Sequence, residues 1–298
     1  MRNLMLSTLT LPLYVLVLSC SDNLDLKGMF LPVCEDVDTR FEESMEYNDS
    51  HGYETVYVSI DDYRFYVMTD IHVDAKSDNL ENYVSACISD SEAAPFSLCL
   101  GDMVNARENQ DLFFEQVEPL LENSYFFPVV GNHDLYFDQW QYYRDDWHTS
   151  TYYFEVVTPG GKKDLYIALD SASGKLGTKQ RKWLEALLKD KNNGEYRHKI
   201  VFTHTHFFKR DESQGHTSNY NMEESYDLMS LFAEYGVDLV LQGHAHHRDL
   251  TVFKGVSYLR LDAMEDHYSN AFYTVIKMGE SFGYEFVPVG KQEPENKN

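Results

Sequence analysis

Positive charge is what this 298-residue chain has least of: 25 lysines and arginines stand against 49 aspartates and glutamates, for a formal net charge of -24. Such a surface repels a polyanionic backbone, and no run of five basic residues offers a local exception, so nucleic acid is not expected as a partner. The same deficit argues against adhesion to anionic lipid headgroups through charge. Cysteine is scarce as well, with only Cys20, Cys34, Cys87 and Cys99, which is no disulfide framework. Cys87 in a helix-like run and Cys99 in a strand-like one read as buried small hydrophobes, with a bridge between them left open. There is no repeat at a solenoid period and no low-complexity block.

Long apolar runs are missing too, and the longest informative one is short. Arg2, the apolar stretch 9–18 and Ser19-Cys20 have the order of an export signal: cation, hydrophobic core, small residue before a cleavage point. The stretch falls short of the roughly 20 residues a bilayer-spanning helix needs. Val17-Leu18-Ser19-Cys20 resembles a bacterial lipobox, which implies acylation of Cys20 and a mature protein held by lipid at a bacterial membrane, periplasmic or cell-surface. Loss of residues 1–19 removes only Arg2 and moves the net charge from -24 to -25. The expected organisation is therefore a signal peptide over 1–19, a tether and irregular arm over 20–59, one catalytic domain over 60–290, and a polar tail over 291–298.

Past residue 60 the chain alternates strand-like and helix-like runs. Strand-like runs at 63–69, 96–100, 125–130, 200–203 and 237–242 each end where polar, chemistry-bearing residues begin, as sites do at the carboxyl ends of strands in α/β sheets. Residues 80–89, 111–121 and 180–189 read as helices, the last with Trp183, Leu184, Leu187 and Leu188 on one face. Further strands are expected over 151–157, 164–170, 256–261, 271–278 and 284–287, enough for two sheets.

The polar residues after those strands form an ordered series: Asp70-Ile71-His72, Gly101-Asp102, Gly131-Asn132-His133-Asp134, His204, and Gly243-His244-Ala245-His246. In an extended backbone residues i and i+2 share a face, so Asp70 with His72, and His244 with His246, are each expected to grip from one side. Mixed carboxylate, imidazole and amide-oxygen donors suit borderline cations such as manganese, iron or zinc.

This series resembles the calcineurin-like metallophosphoesterases over roughly residues 60–290. The resemblance implies an α/β fold, a four-layer sandwich of two mixed β-sheets flanked by helices, with two divalent metal ions at the sheet edge. It further implies that Asp70, His72 and His246 hold one ion, that Asn132, His204 and His244 hold the other, and that Asp102 bridges them. Two ions about 3.5–4 Å apart acidify a bridging water into the hydroxide that attacks phosphorus. His133 matches the family's catalytic histidine, and Asp134 is expected to support its orientation. Purple acid phosphatases carry a tyrosine three residues after the bridging aspartate; Asn105 stands there in this chain.

The expected activity is hydrolysis of a small phosphorylated metabolite. A phosphodiesterase acting on cyclic nucleotides or glycerophosphodiesters is the runner-up, and a non-catalytic ligand- or metal-binding surface lipoprotein is the alternative of another class. Specificity is assigned to residues 135–150 and 207–222. In the first, the aromatic cluster of Tyr136, Phe137, Trp140, Tyr142, Tyr143 and Trp147 reads as packing, since Phe137, Trp140 and Trp147 approximate one helical face. His206 reads as a pocket-wall residue, and His216 lies in a polar loop, 209–221.

Overall fold

Alternation along the inner strands sends their side chains into two different apolar layers. In the computed structural model, which describes residues 36–136, 139–208, 220–268 and 271–289, this holds for strand after strand. The strands are β1 (Thr55–Tyr57), β2 (Arg64–Met68), β3 (Ala93–Cys99), β4 (Tyr125–Pro128), β5 (Tyr152–Val157), β6 (Lys163–Leu169), β7 (Tyr196–Thr203), β8 (Leu239–Gln242), β9 (Asp249–Phe253), β10 (Val256–Arg260), β11 (Phe272–Met278) and β12 (Phe282–Pro288). Along β6, Tyr166 and Ala168 enter the central layer while Leu165, Ile167 and Leu169 face outward to helices. Along β2, Phe65 and Val67 point to the centre and Tyr66 and Met68 away from it. Strands apolar on both faces must be covered on both, which dictates two stacked sheets with helices outside.

One sheet has seven strands in the order β1-β5-β6-β7-β8-β10-β9, the other five in the order β12-β11-β2-β3-β4. Both are mixed. The strands that lead to the motifs, β2, β3 and β4 in one sheet and β7 and β8 in the other, are parallel to their motif-bearing neighbours. Helices α2 (Asp78–Ser89), α3 (Gln110–Asn123) and α4 (Trp140–Trp147) cover the five-stranded sheet through Leu80, Tyr83, Phe113, Val117 and Trp140. Helices α5 (Gly177–Asp190) and α6 (Met222–Glu234) cover the other through Leu184, Leu188, Leu228 and Phe232. Cys87 and Cys99 are both free thiols. Among the described residues no helix is long and apolar enough to cross a membrane.

The irregular arm expected over 20–59 needs correcting. Residues 37–51 form helix α1 (Val37–His51), closed by Gly52 at φ 82°, and β1 then joins the seven-stranded sheet beside β5. The buried positions of α1 are Val37, Arg40, Phe41, Ser44 and Asn48, a helical spacing in which three of five residues are polar, so a hydropathy pattern does not reveal it. Each polar one has a partner. Arg40 lies fully buried against Asp170, with Nε to Oδ2 at 2.7 Å; Ser44 Oγ accepts from Ser150 N–H; Asn48 Nδ2 donates to the Thr151 carbonyl. Helix α6 is likewise absent from the sequence reading, although Asn221 caps it by accepting from Glu224 N–H. The signal run with Cys20, and Cys34, Phe137, His216 and the tail 291–298, lie outside the described residues.

Removing one partner of a buried ion pair strands the other charge, at a cost of about 3–5 kcal/mol. Arg40→Ala should therefore destabilise the protein by about that much in denaturant unfolding, and a loss below about 1 kcal/mol would contradict the docking of α1 through this pair.

Candidate metal centre

The seven expected ligands converge, though not by the route the spacing suggests. Asp70 and His72 lie beyond the end of β2 in the left-handed region, at φ 51° and 50°; Asp102 (53°), His244 (68°) and His246 (51°) share that conformation. The extended-strand argument for the i, i+2 pairs is thus corrected: a left-handed residue on each side of Ile71 and of Ala245 turns both side chains inward. Five non-glycine residues in this region each cost roughly 1 kcal/mol or more, so the surrounding structure has to impose them. It does so with a zipper of backbone bonds, Asp70 N to Gly101 O, Ile71 N and His72 N to Asp102 O, and Gly243 N to His204 O.

Glycine makes the close approach feasible. A Cβ on Gly131 would overlap the Asp102 carboxylate, and one on Gly101, itself at φ 92°, would sit 2.5 Å from the Gly131 nitrogen. The loops after β3 and β4 are therefore pressed together at two glycines, which sets where Asp102 stands.

The donor atoms fall into two groups that share one oxygen. In the first, His72 Nε2 lies 3.1 Å from His246 Nε2, and Asp70 Oδ1 lies 3.3 Å from His246 Nε2. In the second, His204 Nε2 lies 2.9 Å from Asn132 Oδ1 and 3.1 Å from His244 Nδ1. Asp102 Oδ2 belongs to both, 3.3 Å from His204 Nε2 and 3.7 Å from His72 Nε2. Donors that each lie about 2.1 Å from one cation at right angles to one another are about 3 Å apart, which is the spacing found here. Asp70 with His72 and His246, and Asp102 with His204 and His244, are each able to hold a metal ion.

Outer contacts aim the donors. His72 Nδ1 meets Asn105 Oδ1 at 2.9 Å and His204 Nδ1 meets the Leu100 carbonyl at 2.8 Å, so both rings turn Nε2 inward as an acceptor. His246 Nδ1 meets Tyr268 Oη at 2.9 Å. Asn132 Nδ2 donates to Tyr136 Oη at 2.9 Å, leaving Oδ1 facing His204. Thr69 Oγ1 and the His244 N–H both donate to Asp70.

Buried carboxylates reveal the electrostatics. Asp164 has Arg197 and Asp170 has Arg40, whereas Asp70 and Asp102, 0% and 1% exposed, have imidazoles and no lysine or arginine among the described residues. Burial works against ionisation of both, yet His246 with His204, and His204 with His133, hold the two carboxyls well below the usual range. In return, burial alone would depress His204, but Asp102 pushes it up to about 9. The pocket thus stabilises positive charge where the imidazole nitrogens meet, and a buried charge is stable when it is paired or coordinates a metal.

His133 stands at the mouth, half-buried. Its backbone N–H donates to Asp102 Oδ1 at 2.8 Å, which commits Oδ2 to the shared position, and its ring lies edge-on to His72 at 4.5 Å. Asp134 is not beside it. The expected support of His133 is corrected, because the Asp134 carboxylate instead accepts the N–H groups of Asp102, Met103 and Gly131 at 2.8–2.9 Å, fixing the two glycine loops. Burial and the charge of Asp102 raise its carboxyl above the ordinary range. His206 lies beside His244, ring centroids 5.7 Å apart, in the wall and outside both donor groups. Trp140 and Tyr143 are buried packing residues. Asn105, Tyr136 and Tyr268 went unread as supports: Asn105 follows Asp102 by three residues, but nothing in the sequence ties Tyr268 to His246.

The sequence pattern of the family described as calcineurin-like phosphoesterase matches residues 63–248, which contain every one of these ligands. The chain belongs to that family of phosphoester hydrolases. No curated protein matches it. Its fold is similar to that of a purple acid phosphatase from yellow lupin, at 14% identity and TM-score 0.61, covering 76% of this chain and 52% of that one. A dimetal phosphatase from Danio rerio is similar at 13% identity and TM-score 0.56, covering 76% and 96%. GAP50, described as the anchor in the inner membrane complex of Plasmodium, is similar at 15% and 0.57, covering 78% and 86%. The chain spans about half the length of the lupin protein.

Misplacing a catalytic group by about 1 Å costs on the order of 10²-fold in rate. Gly131→Ala, which forces the Asp102 carboxylate aside, should lower phosphoester turnover by about that factor. Turnover equal to wild type would show that the glycine contact does not set the geometry.

Proposed function

We propose that the chain is a two-metal phosphoesterase acting on a small phosphorylated metabolite. What supports the reading is the sharing of Asp102 Oδ2 between two donor groups, in a pocket whose buried carboxylates face imidazoles and, among the described residues, no lysine or arginine. Asp70, His72 and His246 would hold one ion, Asn132, His204 and His244 the other, with Asp102 common to both. Manganese, iron or zinc bound there supplies Lewis acidity to the phosphoryl oxygens and acidifies the attacking water.

The chain's own residues do the rest. Asp70 and Asp102 offset positive charge, and the carboxylate oxygen of Asp102 that faces inward is chosen by the His133 N–H. The His133 ring, half-buried beside His72, would give a proton to the leaving oxygen as its bond to phosphorus breaks. His133→Ala should keep metal binding and lose about 10² to 10⁴ in rate. An unchanged rate removes the residue from the reaction.

A panel of phosphomonoesters and phosphodiesters, run on chelator-stripped protein reloaded separately with manganese, zinc and iron, tests the activity. Metal-stimulated hydrolysis is expected. Because one fold neighbour is described as an anchor, tight phosphoester binding without turnover is the result that would replace the enzyme reading.

Export and lipid attachment through Cys20 complete the proposal, on the support of the apolar run and Ser19-Cys20. Cys20→Ser should shift the protein from the membrane to the soluble fraction of its host, and unaltered fractionation would count against acylation.

A further inference from the structure

We infer that Tyr136 and Tyr268 are paired positioning residues of the centre, one serving each ion. The inference rests on the two-metal reading and adds residues that the ligand series does not contain.

Neither ring belongs to the apolar layers that hold the sheets and helices together. Both sit at the mouth, at opposite ends of an arc of rings: Tyr136 to His133 at 4.6 Å, His133 to His72 at 4.5 Å, His72 to His246 at 5.0 Å, His246 to Tyr268 at 5.2 Å. Each phenol oxygen meets the far side of one ligand. Tyr136 Oη accepts from Asn132 Nδ2, and Tyr268 Oη meets His246 Nδ1, both at 2.9 Å.

Both ligands gain from such support. An asparagine amide presents either oxygen or NH₂ to a cation, and only the oxygen binds; with Nδ2 engaged by Tyr136 Oη, it is Oδ1 that faces the pocket, 2.9 Å from His204 Nε2. His246 is the most exposed of the imidazoles in its donor group, its side chain 14% accessible against 3% for His72, so its ring has the least packing to hold it. With Nδ1 engaged by Tyr268, Nε2 is left as the acceptor facing Asp70 and His72.

The tyrosines are themselves braced. Tyr136 follows the single turn His133–Leu135, four residues after Asn132, with its N–H on the His133 carbonyl. Tyr268 lies beyond β10 in the same connection as Met264, whose N–H donates to the Thr69 and Asp70 carbonyls. Asn79 ties the same loop to the start of α2, its side chain donating to the Met264 and Glu265 carbonyls and its N–H to Asp266.

Zinc titration calorimetry on the purified full chain tests the pair, with anomalous scattering to locate each ion and thermal unfolding in chelator to check the fold. Loss of an outer hydrogen bond to a ligand lowers metal affinity about 10–100-fold. Tyr268→Phe should weaken by that factor the site of Asp70, His72 and His246 and leave the other near wild type; Tyr136→Phe should do the reverse. Two sites of wild-type affinity in both variants would overturn the inference. So would equal weakening of both sites accompanied by a lower melting temperature in chelator, since that marks general loosening. A wild-type chain that takes up no zinc overturns the two-metal reading itself, before either variant is compared.

Discussion

Two carboxylates placed deep in the protein, with no lysine or arginine among the described residues to neutralise them, govern the rest of this structure. Asp70 and Asp102 stand where the two sheets present their strand ends, and the groups facing them are imidazole nitrogens that are bases as readily as acids. Such a pocket is stable with positive charge at its centre and costly without it. Elsewhere the chain solves the same problem with arginine, at Asp164 and at Asp170. The contrast within one molecule separates acids paired with arginine from those able to hold a cation.

Holding that pocket together requires a backbone that the sequence alone would avoid. Five of the seven candidate ligands are left-handed, and their cost is borne by the parallel strands beneath them, by the bonds between the loops after β2 and β3, and by Asp134 gathering three N–H groups. Rigidity of this kind serves chemistry, because a donor aimed in advance need not be reoriented during reaction. Helix α1 belongs to the same scaffold, since Arg40 anchors it to Asp170 just beyond the end of β6.

How much of this was legible in the sequence depends on the range of the interaction. The strand-then-motif order and the ligand types are local, and the chain writes them plainly. Asp70 and His72 converge through left-handed turns and not along an extended strand, a difference that the i, i+2 spacing does not show. Asp134 shows the limit of adjacency: next to His133 in the chain, it points to Asp102 and Met103. Helix α1 escaped notice because its buried face is Arg40, Ser44 and Asn48 as much as Val37 and Phe41, and their partners lie about a hundred residues away. Tyr268 is likewise set by contacts that only the fold creates.

The central claim is that cations occupy the space between Asp70 and Asp102, and ligand-linked stability addresses it directly. A cation that binds only the folded chain adds about 2.7 kcal/mol at a hundred times its dissociation constant. The melting temperature of wild-type protein should rise on addition of manganese or zinc and fall on chelation, while Asp102→Asn should lose most of that response. Identical melting with and without the ions, in wild type, would contradict the account.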